Sequence, residues 1–164
     1  MKSFPLNRSH DRQGFDCGDD WVNRFLKESA LQDQDRDLSR TIVFVEDQDA
    51  EKIVAYHTLF IAQVIQEEIP NDRPRIKRDI PVILLGQLGV DFGFQGSGIG
   101  DLLLFDIQAR IAEISQFVGV RALALDARNE KLAGWYERMG FSRMPPALRM
   151  FKGITSISRL VEGP

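Results

Sequence analysis

The sequence has a single cysteine, no long hydrophobic run and no surplus of positive charge. Cys17 has no partner for an internal disulfide, and no activating histidine or asparagine is visible beside it. We therefore expect a buried or half-buried thiol rather than a nucleophile. No segment approaches the roughly 18 apolar residues that cross a membrane. The chain turns polar after Leu6, unlike a secretion signal. We expect a cytoplasmic location and no membrane partner.

The charge balance excludes a general positive coat for nucleic acids, because 21 basic and 24 acidic side chains leave a net charge of −3. One local cluster of cations lies in the polar, proline-containing loop over residues 67–79. Its members are Arg73, Arg75, Lys77 and Arg78. They could bind the phosphates of an RNA substrate, or they could belong to an ordinary solvated loop.

Hydrophobic periodicity in the first half of the chain predicts one helix and three strands. The helix covers residues 19–34 and begins with Asp19 or Asp20 as its cap. Its apolar positions are Trp21, Val22, Phe25, Leu26 and Ala30. Residues 41–46 and 52–63 indicate a hairpin, and the apolar run over residues 82–90 indicates a central strand.

The second half alternates helices with strands. A helix is predicted over residues 101–117, ended by Gly119, with a buried face formed by Leu103, Ile107, Ile111, Ile114 and Val118. A strand over residues 120–126, a helix over 130–139 and a strand over 148–154 follow. We expect one α/β (α+β) domain over residues 1–164, with a mixed sheet flanked by helices and a tail at about 155–164.

A glycine-rich loop over residues 95–100 joins the central strand to the long helix. Gly96, Gly98 and Gly100 let the backbone approach a ligand without an intervening Cβ. The first N–H groups of a helix have no intrahelical partner, and the helix dipole favours an anion there. The loop therefore has the chemistry of a phosphate or pyrophosphate site.

The loop has three alternative interpretations. A P-loop requires Lys and Ser or Thr after its last glycine, where this chain has Asp101 and Leu102. A dinucleotide fingerprint requires its third glycine three residues after the second, but Gly100 follows Gly98 by two. The glycines could also serve only a tight strand–helix turn.

The order of motifs resembles the GNAT (Gcn5-related N-acetyltransferase) superfamily. The pattern Gln95-x-x-Gly98-x-Gly100 is similar to its pyrophosphate motif, and the run from Tyr136 to Gly140-Phe141 is similar to its last helix and strand. The resemblance implies the GNAT acyl-CoA N-acyltransferase fold, with a mostly antiparallel sheet that opens in a V between the strands at 85–90 and 122–126. It implies acetyl-CoA as co-substrate and no metal.

Phe15-Asp16-Cys17-Gly18 and the strand at residues 84–91 narrow the resemblance to the toxin-type branch of toxin–antitoxin systems. The branch differs at two positions, with Arg usual where Gln87 stands and Ala usual where Gly89 stands. The resemblance implies acetylation of the α-amine of aminoacyl-tRNA. It also implies neutralisation by a ribbon-helix-helix antitoxin, and a homodimer.

The resemblance implies roles for individual residues. Acetyl-CoA contacts are expected from Leu88, Val90, Gln95, Gly96, Ser97, Gly98, Ile99, Gly100, Asp101 and Asn129. The Val90 N–H would polarise the acetyl carbonyl. Tyr136 would protonate the departing thiolate as general acid, although a core tyrosine is the alternative. Asn129 is a helix cap, a partner of the pantetheine arm, or both.

No general base stands out in the sequence. His10 and His57 fit structural roles, and nothing singles out Glu46, Glu67 or Glu68. An α-amine with a pKa near 8 needs less help than a lysine amine near 10.4, which favours an α-amine slightly. An acetyltransferase for a small amine or a protein N-terminus stays open, as does an acyl-CoA-binding regulator without turnover.

Overall fold

The computed structural model describes residues 1–46, 49–64, 79–144 and 148–162. The chain divides into two compact units. The first unit comprises Met1–Phe60 and Gly86–Phe105, and the second comprises Ile61–Leu85 and Asp106–Pro164. The described helices are α1 (Asp20–Arg24), α2 (Ala30–Asp35), α3 (Ile99–Ile114), α4 (Glu130–Arg138) and α5 (Ile154–Glu162).

The strands form one sheet in the order β1-β2-β3-β4-β5-β7-β6. They are β1 (Lys2–Pro5), β2 (Arg40–Glu46), β3 (Asp49–Val64), β4 (Ile80–Val90), β5 (Ala122–Asp126), β6 (Ser142–Met144) and β7 (Arg149–Gly153). β4 pairs with β5 in parallel. The pairs β1–β2, β2–β3, β5–β7 and β6–β7 are antiparallel. The expected mixed, mostly antiparallel sheet is confirmed.

Within the first unit, the N-terminal helical segment packs against the rest of the unit through one apolar cluster. Asp19 caps α1 as predicted, since its Oδ1 accepts hydrogen bonds from the N–H groups of Trp21 at 2.9 Å and Val22 at 3.2 Å. A π-helical turn at Phe25–Ser29 separates α1 from α2. The cluster contains Leu6, Phe15, Val22, Leu26, Ala30 and Tyr56. The prediction that Trp21 belongs to the buried apolar face of this helix is wrong, because the residue is 58% exposed.

Residues of the second unit stabilise both ends of α4. Asn129 caps its start, with Oδ1 accepting the Leu132 N–H at 2.9 Å. Gly140 follows its end with φ +84°, a conformation that suits glycine. The Lys152 Nζ on β7 donates to the Met139 carbonyl at 2.8 Å, where the negative end of the helix dipole attracts a cation. Both predicted limits of this helix are confirmed.

Three expectations about the second half need correction. Leu103, Ile107 and Ile111 are buried as predicted, but Ile114 is 38% and Val118 58% exposed. The reason is that α3 ends at Ile114, before Gly119, and that glycine does not have a positive φ. The segment expected as a tail is helical over Ile154–Glu162.

The last helix is attached to the second unit. The Ile154 N–H donates to the Arg121 carbonyl at 2.9 Å, and Ile157 is fully buried. No helix in the described part of the chain is both long and apolar enough to cross a membrane.

The hydroxyl of Tyr56 is expected to stabilise the first unit. It donates to the Val22 carbonyl at 2.7 Å in a buried setting. Tyr56→Phe removes this bond and leaves the Val22 carbonyl with the N–H of Phe25 as its partner. We expect a loss of about 1 kcal/mol in the free energy of unfolding, measured by urea titration. Tyr136→Phe is the matched control. Equal losses in the two variants would contradict this assignment.

Candidate functional site

The end of β4 presents backbone donors on one edge. The parallel ladder with β5 runs from Val82–Ala122 to Leu85–Leu125, so residues 86–90 lie beyond it. The Asp91 N–H donates to the Val54 carbonyl on β3 at 2.8 Å. Because neighbouring N–H groups of an extended chain point in opposite directions, the Val90 N–H lies on the edge away from β3. The Leu88 N–H, two residues earlier, lies on the same edge.

A tight turn connects β4 to the glycine loop. The 3₁₀ turn at Phe92–Phe94 begins with Asp91, whose Oδ1 accepts the Gly93 N–H at 3.0 Å. The other carboxylate oxygen of Asp91 accepts the Asp16 N–H at 3.2 Å, and the Phe92 N–H donates to the Asp16 carbonyl at 2.8 Å. Asp16 and Asp91 were not among the predicted site residues. Both residues stand in the runs that carry the resemblance to the toxin-type branch, and Asp91 directly follows the apolar strand.

The glycine loop exposes a run of backbone donors. Gly96 and Gly98 have φ values of +77° and +83°. Within the described ranges, the N–H groups of residues 96–100 make no hydrogen bond to another residue. A Cβ added at Gly96 or Gly98 would meet no atom within 4 Å. Backbone conformation rather than crowding therefore requires glycine, and the space outside the loop can admit an anionic ligand.

Other predicted loop residues are engaged inside the protein. The Asp101 N–H donates to the Gly98 carbonyl at 3.1 Å, and its carboxylate is exposed. The Ser97 hydroxyl donates to the Phe94 carbonyl. The side-chain amide of Gln95 donates to the carbonyls of Cys17 and Val90, both at 2.9 Å. The ligand-facing chemistry of the loop thus resides in its main chain.

Tyr136 lies in the second unit, on the buried face of α4. It is 7% exposed and contacts the rings of Trp135 and Phe141, with centroids 4.6 and 5.5 Å away. Desolvation raises its pKa, so the phenol keeps its proton at neutral pH. Its hydroxyl has no hydrogen-bond partner among the residues that the structure describes. Tyr56, in contrast, has its hydroxyl bonded.

Asn129 uses only part of its hydrogen-bonding capacity. Its Oδ1 caps α4, which confirms the capping role. Its Nδ2 makes no hydrogen bond within the described part of the second unit, so an amide donor remains at the start of the helix. The role toward the pantetheine arm stays a prediction.

Six of the remaining candidates lie outside the described residues: Arg73, Arg75, Lys77, Arg78, Glu67 and Glu68. Glu46 is exposed at the end of β2. His57 is fully buried, and the His10 Nδ1 accepts the Asn7 N–H at 3.1 Å. Cys17 is half-buried as expected, and desolvation raises the pKa of its thiol, which disfavours the thiolate.

No family model matches the chain. It is similar to "Probable toxin TacT" of Sinorhizobium fredii, with 28% identity over 93% of this chain and 90% of the relative. It is also similar to "tRNA-acetylating toxin" of Mycobacterium tuberculosis, with 27% identity over 85% and 83%. The fold matches a crystallised variant of KacT with a TM-score of 0.89, 27% identity and coverage of 97% and 98%.

The chain has the fold of the GNAT toxins. AtaTR bound with AcCoA is a further structure of this fold, with a TM-score of 0.86, 25% identity and coverage of 97% and 96%. The resemblance to the toxin-type branch is confirmed. The roles of individual site residues stay predictions.

Gly98 supplies a direct test of the loop. Gly98→Ala puts a Cβ on a residue with φ +83°, which costs about 1–2 kcal/mol in that conformation. We expect the affinity for acetyl-CoA, measured by titration calorimetry, to fall by about tenfold or more. Gly119→Ala is the control, since a Cβ there meets nothing within 4 Å and the residue does not have a positive φ. Equal affinities would exclude the loop as the binding site.

Proposed function

We propose that this chain is a toxin-type N-acetyltransferase that transfers the acetyl group of acetyl-CoA to the α-amine of aminoacyl-tRNA in the cytoplasm. The observation that carries the proposal is the run of exposed N–H groups over residues 96–100, at the start of α3 and on a loop held by two glycines with positive φ. Such donors suit a pyrophosphate, and acetyl-CoA carries one.

The names of the relatives support the substrate and the partner. One relative is called a tRNA-acetylating toxin, and one solved structure is of AtaT complexed with acetyl-methionyl-tRNAfMet. Another structure holds AtaT with acetyl-CoA and the C-terminus of the antitoxin AtaR. We infer a corresponding antitoxin for this chain, of the ribbon-helix-helix type. A homodimer remains an expectation from the family.

Backbone groups would bind and polarise the thioester. Acetyl-CoA supplies an activated acyl group when it is bound. The N–H groups of residues 96–100 would hold its pyrophosphate, and the N–H of Val90 would donate to the acetyl carbonyl. A fixed donor stabilises negative charge on that oxygen without reorganising during the reaction.

Tyr136 is the proposed general acid. Direct attack by an amine on the acetyl carbon expels a thiolate, which must gain a proton. The Tyr136 hydroxyl can supply that proton because burial keeps the phenol protonated and no described residue engages it. Cys17 offers no covalent route, since its pKa is raised and thiolate is scarce.

The lack of an evident base slightly favours an α-amine acceptor. Among the described residues, both histidines are buried. An α-amine with a pKa of about 8 is partly unprotonated at neutral pH, whereas the pKa of a lysine amine, about 10.4, lies about three units above pH 7. The absence of an evident base in the described ranges thus agrees with an α-amine acceptor.

The substrate is tested by incubating the protein with radiolabelled acetyl-CoA and aminoacyl-tRNA, with deacylated tRNA as the control. We expect label only on the charged tRNA. Replacing Arg73, Arg75, Lys77 and Arg78 by alanine should raise KM for tRNA, and each lost phosphate contact should lower the slope of log KM against log salt by about 1. Label on a small amine or peptide alone would favour the alternative acetyltransferase. Binding without transfer would favour a regulator.

Tyr136→Phe tests the general acid. We expect kcat to fall by about 10²–10⁴-fold, because the thiolate leaves without a proton donor. The affinity for acetyl-CoA should stay unchanged in calorimetry, since the pyrophosphate donors are backbone groups of the other unit. Tyr56→Phe, assayed below its unfolding temperature, should keep most of the wild-type kcat. A Tyr136→Phe enzyme with normal turnover would remove the proposed role.

A further inference from the structure

We propose that Gln95 is a positioning residue for acetyl transfer, which acts by tying the end of β4 to the segment before α1 and not by touching the ligand. The inference rests on the proposed function and adds a role for a side chain that the family pattern places in the pyrophosphate loop. The geometry around its amide separates these two roles.

The amide of Gln95 has no donor left for a ligand. Its Nε2 carries two hydrogens, and it donates to the carbonyls of Cys17 and Val90, each at 2.9 Å. An amide that satisfies two carbonyls in this way is committed to the protein. Only the backbone of Gln95 and its Oε1 remain, and a carbonyl-type oxygen does not attract a pyrophosphate.

The contact between Gln95 and Val90 is the second hydrogen bond that holds the peptide between Val90 and Asp91. The peptide between Val90 and Asp91 donates its N–H to Val54 on β3 at 2.8 Å. Its carbonyl points the opposite way and is held by Gln95. The Val90 N–H lies on the same edge as that carbonyl. The Val90 N–H belongs to the preceding peptide, which is joined to this one through the Cα atom of Val90. Movement of the held peptide would therefore displace that Cα atom, and with it the donor that the proposed mechanism places on the acetyl oxygen.

The contact with Cys17 extends the restraint to α1. The Cys17 N–H donates to Asn23 Oδ1 on α1 at 2.9 Å. The Asp16 carboxylate accepts the Gly18 N–H at 2.8 Å and the Asn23 side-chain amide at 2.7 Å, and these bonds lower its pKa. One chain of hydrogen bonds thus joins α1, the Asp16–Cys17–Gly18 segment, Gln95 and the end of β4. Gln95 is the member that bridges to Val90.

The position of Gln95 in this chain predicts a particular kinetic signature. Its loss leaves the N–H groups of residues 96–100 in place, so acetyl-CoA should still bind. It frees the Val90–Asp91 peptide and loosens the end of β4, so the Val90 N–H is placed less precisely and polarises the acetyl carbonyl less well. Loss of the Gln95 amide is therefore expected to lower kcat, whereas loss of a residue that contacts the pyrophosphate would lower the affinity for acetyl-CoA.

The experiment compares Gln95→Met with the wild type and with Gln116→Met, a change at an exposed glutamine beyond the end of α3. Methionine keeps the length of the side chain and removes both donors. We expect kcat for Gln95→Met to fall by about 10–30-fold, consistent with two hydrogen bonds of modest net strength. The Kd for acetyl-CoA should change by less than about threefold. Gln116→Met should match the wild type in both.

Gln95→Asn is the second variant, because it retains the amide but is one methylene too short to reach both carbonyls. Its kcat should lie between those of the wild type and Gln95→Met, and it decides the matter if the methionine variant does not fold. An unchanged kcat, a loss confined to acetyl-CoA affinity, or unfolding of both variants would overturn the inference. A wild-type protein that acetylates no amine would instead overturn the proposed function, so the two failures are distinguishable.

Discussion

The site of the first unit depends on the immobilised peptide at the end of β4. Val54 holds its N–H and Gln95 holds its carbonyl, each at a normal hydrogen-bond distance of 2.8 or 2.9 Å. A planar peptide bonded on both sides has little freedom to rotate. The 3₁₀ turn, the glycine loop and the Asp16 segment all attach to this strand end. Their common attachment sets the directions of the backbone donors before any ligand arrives.

The two tyrosines show that burial alone does not identify a functional residue. Desolvation raises the pKa of both Tyr56 and Tyr136. The hydroxyl of Tyr56 is nevertheless used inside the fold, because it donates to the Val22 carbonyl in the apolar cluster. Tyr136 is also buried, but its hydroxyl has no partner in the described residues. The hydrogen bonds of a buried phenol therefore separate Tyr56 from the proposed general acid, which the direction of the pKa shift does not.

Local patterns predicted most of the fold, and long-range contacts account for what they missed. Caps at Asp19 and Asn129 are set by neighbours two or three residues away, so the sequence reveals them. The apolar period continues through Val118, but it does not reveal that α3 ends at Ile114. The glycine loop was recognisable, whereas the bond from Gln95 to Cys17 joins residues 78 apart in the chain. No local pattern contains such a pairing.

The glycine loop has a consequence for the substitutions that it tolerates. Its donors are main-chain atoms, which every residue except proline carries. Substitutions at Ser97 or Ile99 leave those atoms in place while Gly96 and Gly98 keep the loop in shape. The proposed anion binding therefore constrains few side chains there. This agrees with a fold shared at low identity, since the chain and the KacT variant are 27% identical at a TM-score of 0.89.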